Sequence, residues 1–121
     1  MKKVLLLSLS FLITTSSTAF AHTSLVASNP APSAVISRLP SKISLTFDDA
    51  LLTLGKTAIN HVVVTDPAGV IITSGIDVVK GAVLSDVFKA SQSSKGKYSV
   101  SYRVSAQDGH VVIGKFTFSV R

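Results

Sequence analysis

The 121-residue sequence contains no cysteine, no tryptophan and no glutamate, and its one methionine is Met1. The absence of cysteine excludes a disulfide framework, a thiolate metal site and a thiol nucleophile. Charged residues make up only 15% and apolar residues 46%, a balance that is typical of one folded domain rather than of a disordered chain. Lys2 and Lys3 contribute two of the +6 formal charge, and the remaining +4 is well short of a nucleic-acid-binding patch.

The first 21 residues have the pattern of a signal peptide. Lys2 and Lys3 form a positive start, residues 4–13 are mostly apolar, and Ala19-Phe20-Ala21 has the small-x-small pattern of a signal peptidase site. The apolar run of about ten residues is shorter than the roughly twenty that span a bilayer, which disfavours an uncleaved anchor. We therefore expect residues 1–21 to be removed and residues 22–121 to form one soluble periplasmic domain, whose formal charge without the two lysines falls from +6 to +4.

The remaining chain alternates apolar and polar residues with a period of two, which predicts strands with one buried and one exposed face. The alternation is clear at 43–48, 98–105 and 112–121, and weaker strands are expected at 24–27, 59–65, 70–73 and 82–88. About seven strands separated by turn residues, with little helical pattern, predict an all-β sandwich. Residues 50–54 fit either a helical turn or an edge segment.

His22 becomes the first residue if cleavage falls after Ala21. Its free α-amine and its imidazole would then close a chelate ring on a metal ion. Two nitrogens set at about a right angle suit tetragonal Cu(II), which also has the highest affinity among the divalent ions for such ligands. The alternative is that a histidine follows the cleavage site by accident.

Asp108 and His110 flank Gly109 in the connection between the two most regular strands. Residues two apart point the same way in extended chain, and glycine permits a tight bend, so the pair would present one carboxylate and one imidazole. The alternative is an ordinary Asp-Gly turn beside a surface histidine. Combined with His22, the pair would complete a set of three nitrogens and one oxygen, which suits Cu(II). Periodicity does not show that the two halves meet in space.

Other potential ligands have simpler interpretations. His61 is in phase with neighbouring apolar residues of a strand, which favours a half-buried or edge-strand histidine with a local hydrogen bond. Asp48 and Asp49 form a carboxylate pair at a strand end, by default a charged end before a turn. The functional alternative is that one of them hydrogen-bonds a ligand or approaches an axial metal position. The sequence shows no set of residues typical of a hydrolase active site and no phosphate-binding loop.

Four stretches share their order and spacing with a known family: 22–31 (HTSLVASNPA), 40–49 (PSKISLTFDD), 96–100 (GKYSV) and 105–120 (SAQDGHVVIGKFTFSV). They are similar to the motifs H-x-x-L…S-x-P-A, P-x-x-I-x-L-x-F-S-E, G-x-Y-x-V and S-x-x-D-G-H…G-x-F-x-F-x-V. On these motifs the mature sequence resembles the CopC-type periplasmic copper-resistance proteins, including the shorter YobA-like members.

The resemblance implies a Greek-key, immunoglobulin-like β-sandwich that binds one Cu(II) without redox turnover. The family ligands correspond to the amine and ring of His22, to Asp108 and to His110. The family's acidic residue, a glutamate, corresponds to Asp49, which is an accessory candidate. Because aspartate is shorter than glutamate, the resemblance leaves open whether this carboxylate reaches the metal. Some members also have a methionine-rich Cu(I) site, which this chain lacks in thioether form because no methionine follows Met1.

The sequence therefore predicts a non-enzymatic, exported Cu(II)-binding protein for copper homeostasis and resistance, acting as a carrier or buffer. A CopD-like inner-membrane copper transporter is an expected partner. One alternative is an immunoglobulin-like interaction module without metal. Another is a copper-dependent oxidative enzyme, which is disfavoured because four equatorial donors would leave no open position for oxygen.

Cleavage of the signal peptide gives the first testable prediction. We expect the exported protein to begin at His22, because the small-x-small site ends at Ala21. N-terminal sequencing of protein recovered from outside the cytoplasm measures this directly. A mature chain that begins one or more residues away from His22 would contradict the predicted chelate.

Overall fold

The computed structural model describes residues 23–89 and 94–121, and within them the chain forms strands connected by turns and bridges. The predicted signal peptide and His22 lie outside the described residues. The eight strands are β1 (Leu25–Asn29), β2 (Val35–Ile36), β3 (Lys42–Phe47), β4 (His61–Thr65), β5 (Val78–Lys80), β6 (Val83–Val87), β7 (Gly96–Ser105) and β8 (Val111–Val120).

The strands form two four-stranded sheets, in the orders β1-β3-β6-β5 and β2-β8-β7-β4. The predicted all-β sandwich is therefore confirmed. Neighbouring strands are antiparallel except for β2, which runs parallel to β8. The longest pairing joins β7 to β8 over ten residue pairs, from Gly96 opposite Val120 to Ser105 opposite Val111.

The core lies between the sheets and contains the inward side chains of β3, β4, β6, β7 and β8. Tyr98 and Phe118 stack in it with ring centroids 5.1 Å apart and planes 8° from parallel. The edge of the Phe47 ring meets Tyr102 at a centroid distance of 5.5 Å. Burial of these apolar side chains supplies the stability of a domain that has no disulfide.

One predicted strand is wrong, and two short strands were not predicted. Residues 70–73 form no strand, because Ile71 and Thr73 make only isolated bridges, to Thr65 and Phe88 respectively. Strands β2 and β5 were not predicted, since strands of two and three residues are too short to show an alternation. Hydrogen bonding to a longer neighbour, and not local pattern, makes these short segments strands.

Residues 50–54 form a bridging segment and not a helical turn. Leu51 pairs with Ala106 in an isolated bridge, and the Leu52 N–H donates to the Ser105 carbonyl at 2.9 Å. The Leu51 N–H also donates to the Gly81 carbonyl at 2.9 Å. The segment therefore ties the end of β7 to the start of β6 across the sandwich.

Asn60, which is buried and only 4% exposed, adds two hydrogen bonds to this connection. Its Nδ2 donates to the Leu52 carbonyl at 2.8 Å, and its Oδ1 accepts the Ser105 N–H at 2.8 Å. Because a buried amide is costly to leave unpaired, these two bonds fix the bridging segment against β7.

The outer edge of β4 is covered by side chains. The Val62 N–H donates to Oδ1 of Asp77 at 3.0 Å, and the Val64 N–H makes a longer bond, 3.4 Å, to Oγ1 of Thr73. Both donors would otherwise project from the edge of the sheet. Within the described part of the chain, no helix is long and apolar enough to cross a membrane.

Gly114 generates a prediction about packing. It lies opposite Tyr102 in the β7–β8 pair, and a Cβ added at Gly114 would overlap the phenol ring. We expect Gly114→Ala to lower the free energy of unfolding by about 1–3 kcal/mol, the usual cost of overpacking. Urea unfolding measures the change, with the exposed Thr117→Ala on the same strand as control. Equal stability of the two variants would contradict this role of Gly114.

Candidate metal site

The connection between β7 and β8 is a tight loop, residues 106–110, at one end of the sandwich. Within it the Gly109 N–H donates to the Ala106 carbonyl at 2.9 Å, and the Ala106 N–H donates to the His110 carbonyl at 2.8 Å. Gly109 has a φ of 85°, which disfavours any residue with a Cβ. The predicted Asp-Gly turn is therefore present, and it is held by the longest strand pair of the fold.

Asp108 and His110 project together from this loop. Oδ1 of Asp108 accepts the backbone N–H of His110 at 3.0 Å, and Oδ2 lies 2.7 Å from Nδ1 of the His110 ring. The two side chains are 50% and 59% exposed, so they are open to solvent and to an incoming ion. The carboxylate fixes the orientation of the imidazole, as partners of metal-binding histidines commonly do.

The contact with His110 also changes the acidity of Asp108. The hydrogen bond from the His110 side chain is the main cause that lowers the pKa of Asp108, and the His110 backbone N–H adds to it. Both bonds stabilise the charged carboxylate, which is the form a cation requires. Asp108 is therefore ionised over a wider pH range than an unpaired aspartate.

The start of the described chain lies beside this loop. Thr23 is only 4% exposed, and it lines a cavity of about 110 Å³ together with Asp49, Ala106, Gln107 and Asp108. The sequence left open whether the chain start and the Asp108–His110 loop meet. The residue directly after His22 therefore lines the same cavity as Asp108.

Asp48 holds the chain start in this position. Its Oδ1 accepts the Ser24 N–H at 2.8 Å, and its own N–H donates to the Ser24 carbonyl at 2.9 Å. The sequence suggested Asp48 only as one of two carboxylates at a strand end. Its role could not be read from spacing, because the partner Ser24 lies 24 residues away.

Asp49 lines the cavity, but its Oδ1 is used locally to accept the Ala50 N–H at 2.8 Å. Gln107 was not a predicted site residue. Its Nε2 donates to the Leu51 carbonyl at 3.1 Å and so attaches the loop to the bridging segment. Nothing in the sequence singles out this glutamine, because its partner is a backbone carbonyl 56 residues distant.

His61 belongs to a separate pair. Its Nδ1 lies 2.9 Å from Oδ2 of Asp77, whose side chain is only 9% exposed. The expected hydrogen-bonded histidine on an edge strand is therefore present, and its partner is Asp77. Within residues 23–89 and 94–121, no three His or Asp side chains are grouped so that they could hold a metal ion.

The fold and the loop define a β-sandwich with a carboxylate–imidazole pair at one end, next to its chain start. Residues 25–121 match the family model described as the CopC domain, and the chain belongs to this family. The recognised family resemblance is thus confirmed over nearly all of the described chain. A search of curated proteins finds no significant match.

Two solved structures illustrate the similarity. CopC from Methylosinus trichosporium OB3b has a TM-score of 0.67 and 25% identity, covering 82% of this chain and 93% of that one. PcoC, a methionine-rich copper resistance protein from Escherichia coli, has a TM-score of 0.66 and 20% identity, covering 84% and 100% respectively. This chain differs from the latter description because it has no methionine after Met1.

The Asp108–His110 contact generates a prediction for the metal-free protein. We expect His110→Ala to raise the pKa of Asp108 toward its ordinary value, because the hydrogen bond that lowers it is lost. The stability that this pair contributes is fully present at pH values above the pKa of Asp108 in the unfolded chain. It is lost as the pH falls through the lower pKa that Asp108 has in the folded protein. NMR titration of the side-chain carboxyl carbon measures the shift.

His61→Ala provides the matched control, since it removes an imidazole paired with a different carboxylate. It should leave the titration of Asp108 unchanged. If both variants moved the pKa of Asp108 equally, the contact with His110 would not be its cause.

Proposed function

We propose that this protein is a periplasmic Cu(II) carrier or buffer that binds one ion per chain through His22, Asp108 and His110. The observation that carries the proposal is the cavity shared by Thr23 and Asp108, since His22 is covalently attached to Thr23. The CopC family membership and the copper resistance function named for PcoC support the same conclusion.

The donor types fit Cu(II). The α-amine and imidazole of His22, the imidazole of His110 and a carboxylate oxygen of Asp108 make a set of three nitrogens and one oxygen, which suits tetragonal Cu(II). The bonds that Asp108 accepts from His110 do not preclude coordination, because each carboxylate oxygen has two lone pairs. Asp49 lines the same cavity and is an accessory candidate.

The fold would reduce the entropic cost of binding. Asp48 fixes the backbone at Ser24, and Asp108 already orients the ring of His110. His22 would close a chelate through its own amine and imidazole, so rotation about only a few bonds would be restricted when the ion binds. Such preorganisation favours tight retention of the ion.

We propose binding without catalysis. The four donors would occupy the equatorial positions that suit Cu(II), and no equatorial position would remain for oxygen. A carrier of this kind would deliver its ion to a membrane transporter of the CopD type or to copper enzymes outside the inner membrane. Rapid consumption of ascorbate and oxygen by the Cu(II) protein would instead indicate an oxidative enzyme.

Copper binding should weaken as the pH falls. The amine and both imidazoles must be deprotonated to coordinate, so protons compete with the ion. The amine has the highest reference pKa of the donors, about 7.7–8.0, and therefore carries the largest proton penalty near neutral pH. The affinity for Cu(II) should accordingly decline most clearly below that range.

The decisive experiment compares correctly processed protein with a variant that carries one extra glycine before His22. The extension changes no side chain but turns the α-amine of His22 into an amide, whose nitrogen coordinates a metal ion only after it loses its proton. We expect the affinity for Cu(II), measured by competition with a chelator, to fall at least about 100-fold, since loss of an outer-shell partner alone costs 10–100-fold.

Two substitutions complete the test. His110→Ala should weaken binding and change the electron paramagnetic resonance spectrum of the bound ion, whereas His61→Ala should change neither, because His61 pairs with Asp77. The proposal fails if the extended protein binds Cu(II) as tightly as the processed one. It also fails if His110→Ala leaves both the affinity and the spectrum unchanged.

A further inference from the structure

The carboxylates of this protein are all used within the fold. Asp48, Asp49 and Asp66 accept backbone N–H groups in turns or at the chain start. Asp77 and Asp108 each pair with a histidine. Asp86 is 2% exposed and accepts the N–H groups of Ser74 and Gly75 and the Ser74 hydroxyl. These are all six acidic residues of the sequence.

The cations have no such partners. The sequence after the predicted signal peptide has ten lysines and arginines. Across residues 23–89 and 94–121, the ion pairs are those of the two histidines, and none involves Lys or Arg. Arg103 donates from Nη1 to the Ile59 carbonyl at 3.4 Å, but no Lys or Arg of these residues is neutralised by a carboxylate. The distribution of these positive charges over the surface therefore determines which partners they attract.

Six of these cations lie at one end of the sandwich, opposite the loop 106–110. We call this the basic end; its charged residues are Arg38, Lys42, Lys89, Lys95, Lys97 and Arg121. The topology places them together, because β3 and β7 begin there while β6 and β8 end there. Backbone bonds from Phe88 to Ser41 and from Arg121 to Ile36 connect the segments. All six residues are exposed.

Asp66 and Asp86 are the two carboxylates near the basic end. Oδ1 of Asp66 already accepts the N–H groups of Ala68 and Val70, and Asp86, opposite Ile43 in the sheet, is buried. By contrast, Asp48, Asp49 and Asp108 lie around the candidate metal site at the other end. The molecule therefore carries more positive charge at the basic end than at the end of the candidate metal site. Ten residues of β7 separate the two ends by about 30 Å.

Exposed apolar side chains lie among the cations of the basic end. Val70 is 57% exposed and Ile71 52% exposed, directly after the turn that follows β4. Val87, opposite Lys42 in the sheet, is 53% exposed. Lysine and arginine near a membrane surface are attracted to anionic headgroups, and apolar side chains beside them can add contact with the acyl boundary.

We propose that the basic end docks on a bilayer surface that carries anionic headgroups. The cations come from several separate segments and have long side chains, which suits a diffuse array of phosphates. Val70 and Ile71 would reach the boundary between headgroups and acyl chains. In this orientation the candidate metal site would face away from the bilayer, about 30 Å above it.

Vesicle flotation tests the proposal with metal-free protein, so the result does not depend on copper binding. The vesicles contain equal parts phosphatidylglycerol and phosphatidylcholine, and the reference vesicles contain phosphatidylcholine alone. We expect binding to the anionic vesicles only, at low ionic strength, and release by added salt because the attraction is screened. Each cation near the surface should strengthen binding by about fivefold.

Two triple variants with the same net charge distinguish the effect of where the cations lie from the effect of the total charge. Lys42→Glu, Lys89→Glu and Lys97→Glu reverse three charges at the basic end, whereas Lys56→Glu, Lys80→Glu and Lys115→Glu reverse three elsewhere. We expect at least a hundredfold loss of vesicle binding for the first variant, from about fivefold per cation, and a much smaller loss for the second. Circular dichroism verifies that both variants fold.

A labelling experiment tests the orientation. Because the chain has no cysteine, Ser41→Cys and Thr57→Cys each introduce one site for an environment-sensitive dye, at the basic end and at the opposite end respectively. Only the dye at position 41 should report an apolar environment on anionic vesicles. The two positions are exposed, so the labels do not disturb the core.

Three outcomes would overturn the proposal. Equal losses in the two triple variants would show that net charge and not the basic end governs binding. A response of the dye at position 57 equal to that at position 41 would exclude the orientation. Binding to polyglutamate but not to the anionic vesicles would indicate an acidic protein surface as the partner instead of a membrane.

Discussion

The reciprocal pair of hydrogen bonds between Ser24 and Asp48 is the constraint on which the candidate site depends. It fixes the first described residues against the end of β3, and Thr23 is thereby buried beside the loop that carries Asp108. Without it, an N-terminal residue would have the freedom that chain ends normally have. Ser24, more than 80 residues before the loop in sequence, is thus held in place by an aspartate that is not a ligand in the proposed site.

The other half of the site is rigid for a different reason. The loop 106–110 joins two ten-residue strands, so its ends are fixed by the most extensive pairing in the fold. Gln107 and Asn60 attach it further to the bridging segment 51–52 through backbone groups. Long strands, the buried amide of Asn60 and the exposed amide of Gln107 thus hold an exposed carboxylate and imidazole in one orientation. Ligand-binding residues on a loop gain precision from a scaffold of this kind.

The sequence allowed much of this arrangement to be predicted, and the failures have physical causes. The clear alternations correspond to β3, β7 and β8, because each of these strands has one face in the core. Strands β2 and β5 were missed since they depend on their neighbours rather than on their own pattern. Asp108 and His110 were identified from an Asp-Gly-His spacing, and their mutual contact agrees with it. The roles of Asp48, Asn60 and Gln107 were not predictable, because each binds a backbone group that only the fold brings near. The family motifs suggested Asp49 as the relevant acidic position, whereas Asp48 is the residue that fixes the chain start.

The covered edge of β4 has a consequence for the behaviour of this protein at high concentration. Two amide donors that could otherwise recruit a strand from a second molecule are occupied by Asp77 and Thr73. Sheet proteins without disulfide bonds that open transiently are prone to join edge to edge into aggregates. By satisfying these donors with its own side chains, the domain removes one template for polymerisation.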